Sequence, residues 1–135
     1  MENEKWNPVL DFVEQRLNVK LETTQGLVPM TISPKVQYSF RSYLSQYPFP
    51  ALFAVNMAVE CLKSLILAVA MLNKQVSVIQ AAELARLENN FQIDKWGNVE
   101  WHHDIEHHDL VINCAAASIY FHFVTELHSV INKKK

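Results

Sequence analysis

The sequence predicts an all-α fold, a single helical bundle of about five helices. Its 135 residues include only two glycines, and no alternation of apolar and polar residues extends beyond a few positions, which disfavours strands. At this length we expect one domain over residues 1–135, burying about two-thirds of the surface that the unfolded chain exposes. The two cysteines are predicted to be buried, reduced thiols, because a core of this size does not require a disulfide framework.

The first two helices are predicted from one signal, a capping residue followed by proline. Asn7 and Pro8 open a helix that runs to about Leu17, and Ser33 and Pro34 open a second one. The prolines within residues 47–50 end the second helix, since proline disfavours helical backbone at the residue before it. Residues 18–33 are predicted to be an internal linker.

The third and fourth helices follow from a long apolar run and a capping motif. Residues 51–73 are predicted to form one apolar core helix, long enough to span a bilayer. Its polar residues line up along one side, which favours a helix in a soluble bundle; they are Asn56, Glu60, Lys63 and Ser64. Ser77 and Gln80 are spaced as a capping box and open the fourth helix, which is predicted to end near Ile93.

A long last helix is predicted from about Val99 to Asn132, after a turn around Gly97. Its apolar residues recur at helical spacing and form one stripe. The members of this stripe are Ile105, Ile112, Ala116, Ile119, Phe123, Leu127 and Val130.

Glu88 stands out in the fourth helix because it falls on the apolar side of the helical wheel, one turn after Leu84. Arg86 falls on the opposite, polar side. A carboxylate in an apolar arc must be paired, neutralised or in contact with a partner, because burying an unpaired charge is costly. The wheel leaves two interpretations open: an internal tether, such as a salt bridge, and a recognition carboxylate on a docking surface.

Residues 95–108 contain four of the six histidines, and His103, Glu106 and His107 match the inverted zinc-protease pattern H-x-x-E-H. If the last helix begins near Val99, Glu100 shares a face with His103 and His107 and could help to chelate zinc.

Several features argue against this metal site. His102 with Glu106 and Asp104 with His108 form separate pairs around the helix, and no third ligand or cleft is evident elsewhere. Acidic residues at a helix start also match the positive end of the helix dipole. A solvated helix start is therefore favoured, with the nearby tryptophans, Trp96 and Trp101, anchoring the turn to the core.

The remaining composition excludes other classes of function. The formal net charge is −2, and basic residues are dispersed except at residues 133–135, so no nucleic-acid-binding face is predicted. Phosphate-binding glycine loops, nucleophile motifs and C-x-x-C pairs are absent from the sequence. From the residues alone, the chain is a helical interaction domain, not an enzyme, with no cofactor and no small-molecule substrate.

Residues 83–110, ELARLENNFQIDKWGNVEWHHDIEHHDL, resemble the signature of the ATP-twelve family, the mitochondrial ATP synthase assembly chaperones. Members of that family read approximately L-x-x-L-E-x-E-[YF]-Q-I-x-x-W-G-x-[VI]-E-W-x-H-D. The matching residues are Leu84, Leu87, Glu88, Phe91, Gln92, Ile93, Trp96, Gly97, Val99, Glu100, Trp101, His103 and Asp104. Asn90 departs from the pattern, and no recurring family histidine matches His102, His107 or His108.

The resemblance implies a chaperone that binds the unassembled alpha subunit of the ATP synthase head in the mitochondrial matrix, without inserting into the membrane. Such a chaperone prevents aggregation of the alpha subunit until the beta subunit replaces the chaperone. It also implies that this is the C-terminal helical domain, because the family has a mainly β domain ahead of it. The residues expected to bind the partner are Glu88, Phe91, Trp96, Glu100, Trp101 and Asp104. Two alternatives remain: a metal-dependent hydrolase using His103, Glu106 and His107, and a plain helical dimerisation module.

Overall fold

A computed structural model describes residues 2–23, 31–97 and 99–133, with side chains from Lys5 onward. Within these ranges the chain is helical and contains no strand, so the all-α prediction is confirmed, whereas the expectation of about five helices is too low. The seven helices of the described ranges are α1 Glu2–Leu17, α2 Pro34–Leu44, α3 Phe49–Leu62, α4 Leu65–Leu72, α5 Val78–Ala85, α6 Leu87–Trp96 and α7 His102–Lys133.

The core lies where α3, α4 and α5 pack against α7. The contact between α3 and α7 is the most extensive in the bundle. It is lined by small, fully buried residues, which let the two helix axes approach closely; they are Ala51, Ala54, Ala58, Cys114 and Ala117. Every residue from Leu67 to Leu72 in α4 is buried, so this short helix is the centre of the bundle.

The proline signals predict the start of α2 correctly but not the start of α1. α2 begins at Pro34 after Ser33, as predicted. α1 begins at Glu2, so Pro8 lies inside it and Asn7 is not its cap. Proline adopts a helical φ and forfeits one backbone hydrogen bond, so a helix can continue through it at a cost. The predicted linker includes residues 24–30, which lie outside the described residues, and residues 19–23 and 31–33 on either side have no regular secondary structure.

The predicted core helix over residues 51–73 is wrong in one respect, because the structure divides it into α3 and α4. Lys63 has left-handed backbone geometry, with φ 54° and ψ 19°. Ser64 then caps α4, its hydroxyl oxygen accepting from the backbone N–H of Leu67 at 3.3 Å. Serine competes for backbone hydrogen bonds and therefore favours such positions.

The predicted fourth helix is also divided, at Arg86. Its start is confirmed: the Ser77 hydroxyl accepts from the Gln80 amide at 3.1 Å, and the Gln80 side chain accepts from the Ser77 amide at 2.9 Å. Arg86 leaves helical geometry, with φ −106° and ψ 15°. A single helical wheel therefore does not describe residues 77–93, and the assignments made from it change.

α7 has apolar residues on two opposite sides. One side, centred on Cys114, Ala117 and Phe121, is buried against the bundle. The predicted stripe, which we call the α7 stripe, lies on the other side, since Ile105 and Phe123 each point about 180° away from Cys114 at 100° per residue. Its large members are 49% to 71% exposed, and Ala116 is exposed as well. An apolar stripe normally faces the core, but here the second apolar side of α7 does so.

By length and composition, α7 is the one described helix that could cross a membrane, with a mean hydropathy of 1.4 in its most apolar window of 18 residues. Only 17% of that window is buried inside the bundle. The high hydropathy follows from the two apolar sides, only one of which the bundle covers.

Both cysteines are free, and they lie in the contact between α3 and α7. Cys114 is buried, whereas Cys61 is half-buried, so the prediction of two buried thiols is right for Cys114 only. Burial raises the pKa of the Cys114 thiol to about 12, and the neighbouring Cys61 adds to this effect.

Candidate functional site

The segment that joins α6 to α7 forms an exposed corner on the bundle. α6 ends at Gly97, whose backbone N–H donates to the carbonyl of Ile93 at 2.8 Å. Gly97 has a φ of 95°, a conformation that favours glycine because other residues meet a Cβ penalty there. Trp101 also has a positive φ, 70°, immediately before α7 begins at His102.

Four large apolar side chains project from this corner. We call them the aromatic corner: Phe91, Trp96, Val99 and Trp101. Their exposed fractions are 60%, 71%, 61% and 76%. The expectation that Trp96 and Trp101 anchor the turn to the core is therefore wrong. Exposed aromatic side chains of this kind are enriched at protein interfaces.

Charged residues border the aromatic corner. The Lys95 ammonium lies over the ring of Trp96, 5.2 Å from its centroid, and 5.9 Å from that of Phe91. Glu88 and Glu100 are exposed, and Asp104 is exposed in the first turn of α7. The six residues expected to bind the partner thus lie on α6, on the turn and at the start of α7, and all six are exposed.

Glu88 differs from the position that the helical wheel assigned to it. It is exposed, because the interruption at Arg86 changes which side of α6 faces the bundle. Among the residues that the structure describes, Glu88 takes part in no salt bridge and no side-chain hydrogen bond, so the internal salt bridge that the wheel left open is not formed. This geometry agrees with the other interpretation, in which the carboxylate faces a partner.

Arg86 is the charged residue that the bundle buries instead, and its side chain is only 7% exposed. Its guanidinium joins α6 to the start of α7, with Nη1 donating to the carbonyl of His103 at 3.1 Å and Nη2 lying 3.4 Å from a carboxylate oxygen of Glu106. Its Nε is buried without a hydrogen-bond partner among the described atoms. The helical wheel placed Arg86 on the polar side, so this contact was not predicted from the sequence.

The proposed zinc ligands have other roles in the structure. His103 accepts a hydrogen bond through Nδ1 from the backbone N–H of Val99 at 3.1 Å. Glu106 pairs with Arg86. Since α7 begins at His102, the expectation of a helix starting near Val99, with Glu100 on one face with the two histidines, is wrong. Within the described ranges, no three His, Cys, Asp or Glu side chains are grouped to hold a metal ion.

No model of a protein family matches the chain. A mitochondrial Atp12 protein of Schizosaccharomyces pombe is 27% identical to it over 135 residues, covering 98% of this chain and 46% of the relative. The chain therefore spans about half the length of the relatives that it matches.

Solved structures share the fold. The crystal structure of Atp12 from Paracoccus denitrificans has a TM-score of 0.81 at 24% identity, over 89% of this chain and 51% of that one. A chaperone candidate from Agrobacterium tumefaciens has a TM-score of 0.74 at 23% identity, over 88% of this chain and 44% of that one. The similarity to the Schizosaccharomyces pombe Atp12 protein supports the resemblance to the ATP-twelve family, and the fold is shared with the Paracoccus Atp12 structure.

Proposed function

We propose that this chain is the helical domain of an assembly chaperone that binds the unassembled alpha subunit of ATP synthase in the mitochondrial matrix. In this role it covers the alpha subunit before the beta subunit does and so prevents aggregation. The function is binding without catalysis, and it requires no cofactor. The observation that carries the proposal is the aromatic corner. Its four apolar side chains are exposed, and they lie within the segment that resembles the family.

The chemistry of the aromatic corner suits a partner of this kind. A subunit waiting for assembly exposes apolar surface that a neighbour later covers, and such surface aggregates. Tryptophan is among the residues that contribute most to protein interfaces, because it buries a large area with few rotatable bonds. A patch of four side chains is also small, which favours release when the final partner arrives.

Three carboxylates add negative charge to the proposed binding surface. Glu88, Glu100 and Asp104 are exposed on α6, before α7 and in its first turn, so they add negative charge to the same stretch of the chain. Charges at the rim of an interface contribute mainly to the rate and the orientation of association, not to burial energy. We therefore assign apolar binding to the aromatic corner and the choice of a basic partner surface to the three acids.

The relatives are about twice as long as this chain. We propose that a mainly β domain precedes the helical one in the full-length protein, as the family resemblance implies. The name of the Schizosaccharomyces pombe relative, which is mitochondrial, supports a mitochondrial location.

The substitution Glu88→Lys tests the role of the rim. Because Glu88 is exposed, we expect the free energy of unfolding to change by no more than about 0.5 kcal/mol. Binding of purified alpha subunit, measured by biolayer interferometry, is expected to weaken about fivefold, since reversal of a rim charge costs about 1 kcal/mol.

The matched control is Asp11→Lys, the same reversal of charge at an exposed position of α1. It is expected to leave both stability and binding unchanged. Equal loss of binding in the two variants would indicate a general effect of net charge, and an unfolded Glu88→Lys variant would mean that the carboxylate is structural.

A further inference from the structure

A hydrogen bond from His103 connects the turn that carries the aromatic corner to α7. The backbone N–H of Val99 donates to the Nδ1 atom of the His103 imidazole at 3.1 Å. Val99 belongs to the aromatic corner, and His103 is the second residue of α7. The contact therefore joins a residue of the proposed binding surface to the first turn of a helix of 32 residues.

The local sequence explains why a histidine makes this contact. Helices usually begin after Ser, Thr, Asp or Asn, whose side-chain oxygen accepts from a backbone N–H. Trp101 precedes α7 instead, and an indole can only donate. His103 supplies an acceptor from inside the helix and reaches back four residues, in the way that the third residue of a capping box reaches back to the cap.

The hydrogen bond specifies the protonation state of His103. A backbone amide nitrogen can only donate, so Nδ1 must present its lone pair, and the proton of the neutral ring is on Nε2. An imidazolium carries a proton on both ring nitrogens and cannot accept. The contact between Val99 and His103 must therefore open when the ring gains a second proton.

The backbone that this contact spans is unfavourable by itself. Trp101 lies between Val99 and His103 and has a φ of 70°, which is disfavoured for a residue with a Cβ. Such geometry persists only where the surrounding contacts hold it. Opening the contact between Val99 and His103 thus removes a restraint from the segment that contains Trp101.

We propose that His103, in its neutral form, is the positioning residue of the aromatic corner, and that its protonation releases the turn. This role deepens the proposed function and rests on it for binding, whereas the hydrogen bond itself belongs to the free chain. A released turn populates the binding arrangement of Val99 and Trp101 for a smaller fraction of the time. The apparent affinity for the partner falls by that fraction.

Charged and titratable groups surround His103 on both sides of the turn. The Arg86 guanidinium donates to the His103 carbonyl at 3.1 Å and lies 3.4 Å from Glu106. The ring of His102 is 5.5 Å from that of His103. The other titratable residues within four positions along the chain are Glu100, Asp104 and His107. Because histidines as a class change charge between about pH 5 and about pH 8, a change of pH alone does not identify the group, and the test requires substitutions.

Proton–nitrogen NMR of the free 135-residue chain tests the contact without a partner. Between about pH 8 and about pH 5, the Val99 amide proton is expected to shift upfield with the same midpoint as the imidazole protons of His103. Its protection against hydrogen exchange, corrected for the intrinsic rate at each pH, should fall at least about fivefold.

Three variants assign the effect to the Nδ1 acceptor. His103→Asn places an amide oxygen as many bonds from the backbone as Nδ1, and that oxygen accepts without titrating, so Val99 should stay protected at every pH. His103→Phe removes the acceptor, so protection should be low at every pH. His108→Asn changes an exposed histidine of α7 and should behave like the wild type. A wild-type Val99 amide that does not follow His103, or one that still titrates in His103→Asn, would overturn the proposal.

Binding at two pH values extends the test to the proposed function. By biolayer interferometry, the wild type is expected to bind purified alpha subunit about fivefold more weakly at about pH 5.5 than at about pH 7.5. His103→Asn should lose most of this dependence, and His108→Asn should keep it. Absence of binding at about pH 7.5 would contradict the proposed function, and the NMR result would then decide the role of His103 alone. The same pH dependence in all three chains would overturn the positioning role.

Discussion

Arg86 is a buried residue that connects the start of α6 to the start of α7. Its guanidinium is nearly inaccessible and donates to a backbone carbonyl and a carboxylate at the start of α7. Arginine suits this position because its planar group offers several donors in fixed directions. Arg86 directly precedes α6, so this contact holds α6 and the aromatic corner in a defined position relative to α7.

The substitution Arg86→Met measures that contact. Methionine retains much of the apolar stem but leaves the carbonyl of His103 without its donor, so we expect the free energy of unfolding to fall by about 1–3 kcal/mol. Urea unfolding monitored by circular dichroism gives this value. Arg41→Met, at an exposed position of α2, is the matched control and should change stability by less than about 0.5 kcal/mol. Equal losses in both variants would show that the buried contact contributes nothing specific.

Single residues differ in how well the sequence predicts them. The Ser77 and Gln80 pair was predicted correctly because a capping box depends on a spacing of three residues and on nothing else in the fold. The exposure of Trp96 and Trp101 was not predicted, because large aromatic side chains are usually buried and the sequence gives no sign of an exception. The burial of Arg86 depends on an interruption of the helix that no glycine or proline marks.

At the scale of elements, α7 shows why periodicity alone was insufficient. The sequence has apolar residues at helical spacing on two opposite sides of this helix, and periodicity identifies both without ranking them. The buried side is the one with small residues, Cys114 and Ala117, which allow α3 to approach closely. The predicted stripe is the side with the larger apolar residues, and this side is exposed. Size complementarity with α3 decides between the two sides, and it becomes visible only in the packed structure.

Neighbouring alanines on the two sides of α7 test this orientation. Ala117 is fully buried against the bundle, whereas Ala116 lies on the α7 stripe and is exposed. Ala117→Leu is therefore expected to lower the free energy of unfolding by about 1–3 kcal/mol through overpacking. Ala116→Leu should change it by less than about 0.5 kcal/mol. Thermal and urea unfolding of the two variants gives the comparison, and a reversed order would mean that the α7 stripe faces the core.

The divisions at Lys63 and Arg86 account for the difference between about five and seven helices. The sequence predicts continuous helices over residues 51–73 and 77–93 because neither interruption contains glycine or proline, the residues that normally mark a break. Lys63 adopts left-handed geometry at a steric cost of about 1 kcal/mol. That cost is offset by the burial of α4, whose direction is set by packing in the core and not by local propensity.

Over the whole molecule, the residues that form the core differ from those that we propose to bind the partner. The core is formed mainly by α3, α4, α5 and the inner side of α7, with contributions from α1 and α2, whereas no residue of α6 is buried. The aromatic corner therefore contributes little to folding, and its residue types have to be explained by something outside the bundle. The all-α fold class was predicted from the sequence. The binding role of the six candidate residues stays a prediction, and their exposure became visible only in the structure.

We propose that this helical domain binds the alpha subunit of ATP synthase through the aromatic corner. The direct test is capture of co-expressed alpha subunit by the tagged chain, with the beta subunit as a separate control and chelator in the buffer. Trp96→Ala is the variant of the corner, and Tyr38→Ala on α2 is the matched control, because Tyr38 is exposed to a similar extent, 73% against 71%. We predict that the wild type and Tyr38→Ala retain the alpha subunit, that Trp96→Ala loses at least about tenfold in affinity, and that none of the three retains the beta subunit. Failure of the wild type to retain the alpha subunit, or equal retention by Trp96→Ala, would contradict the claim.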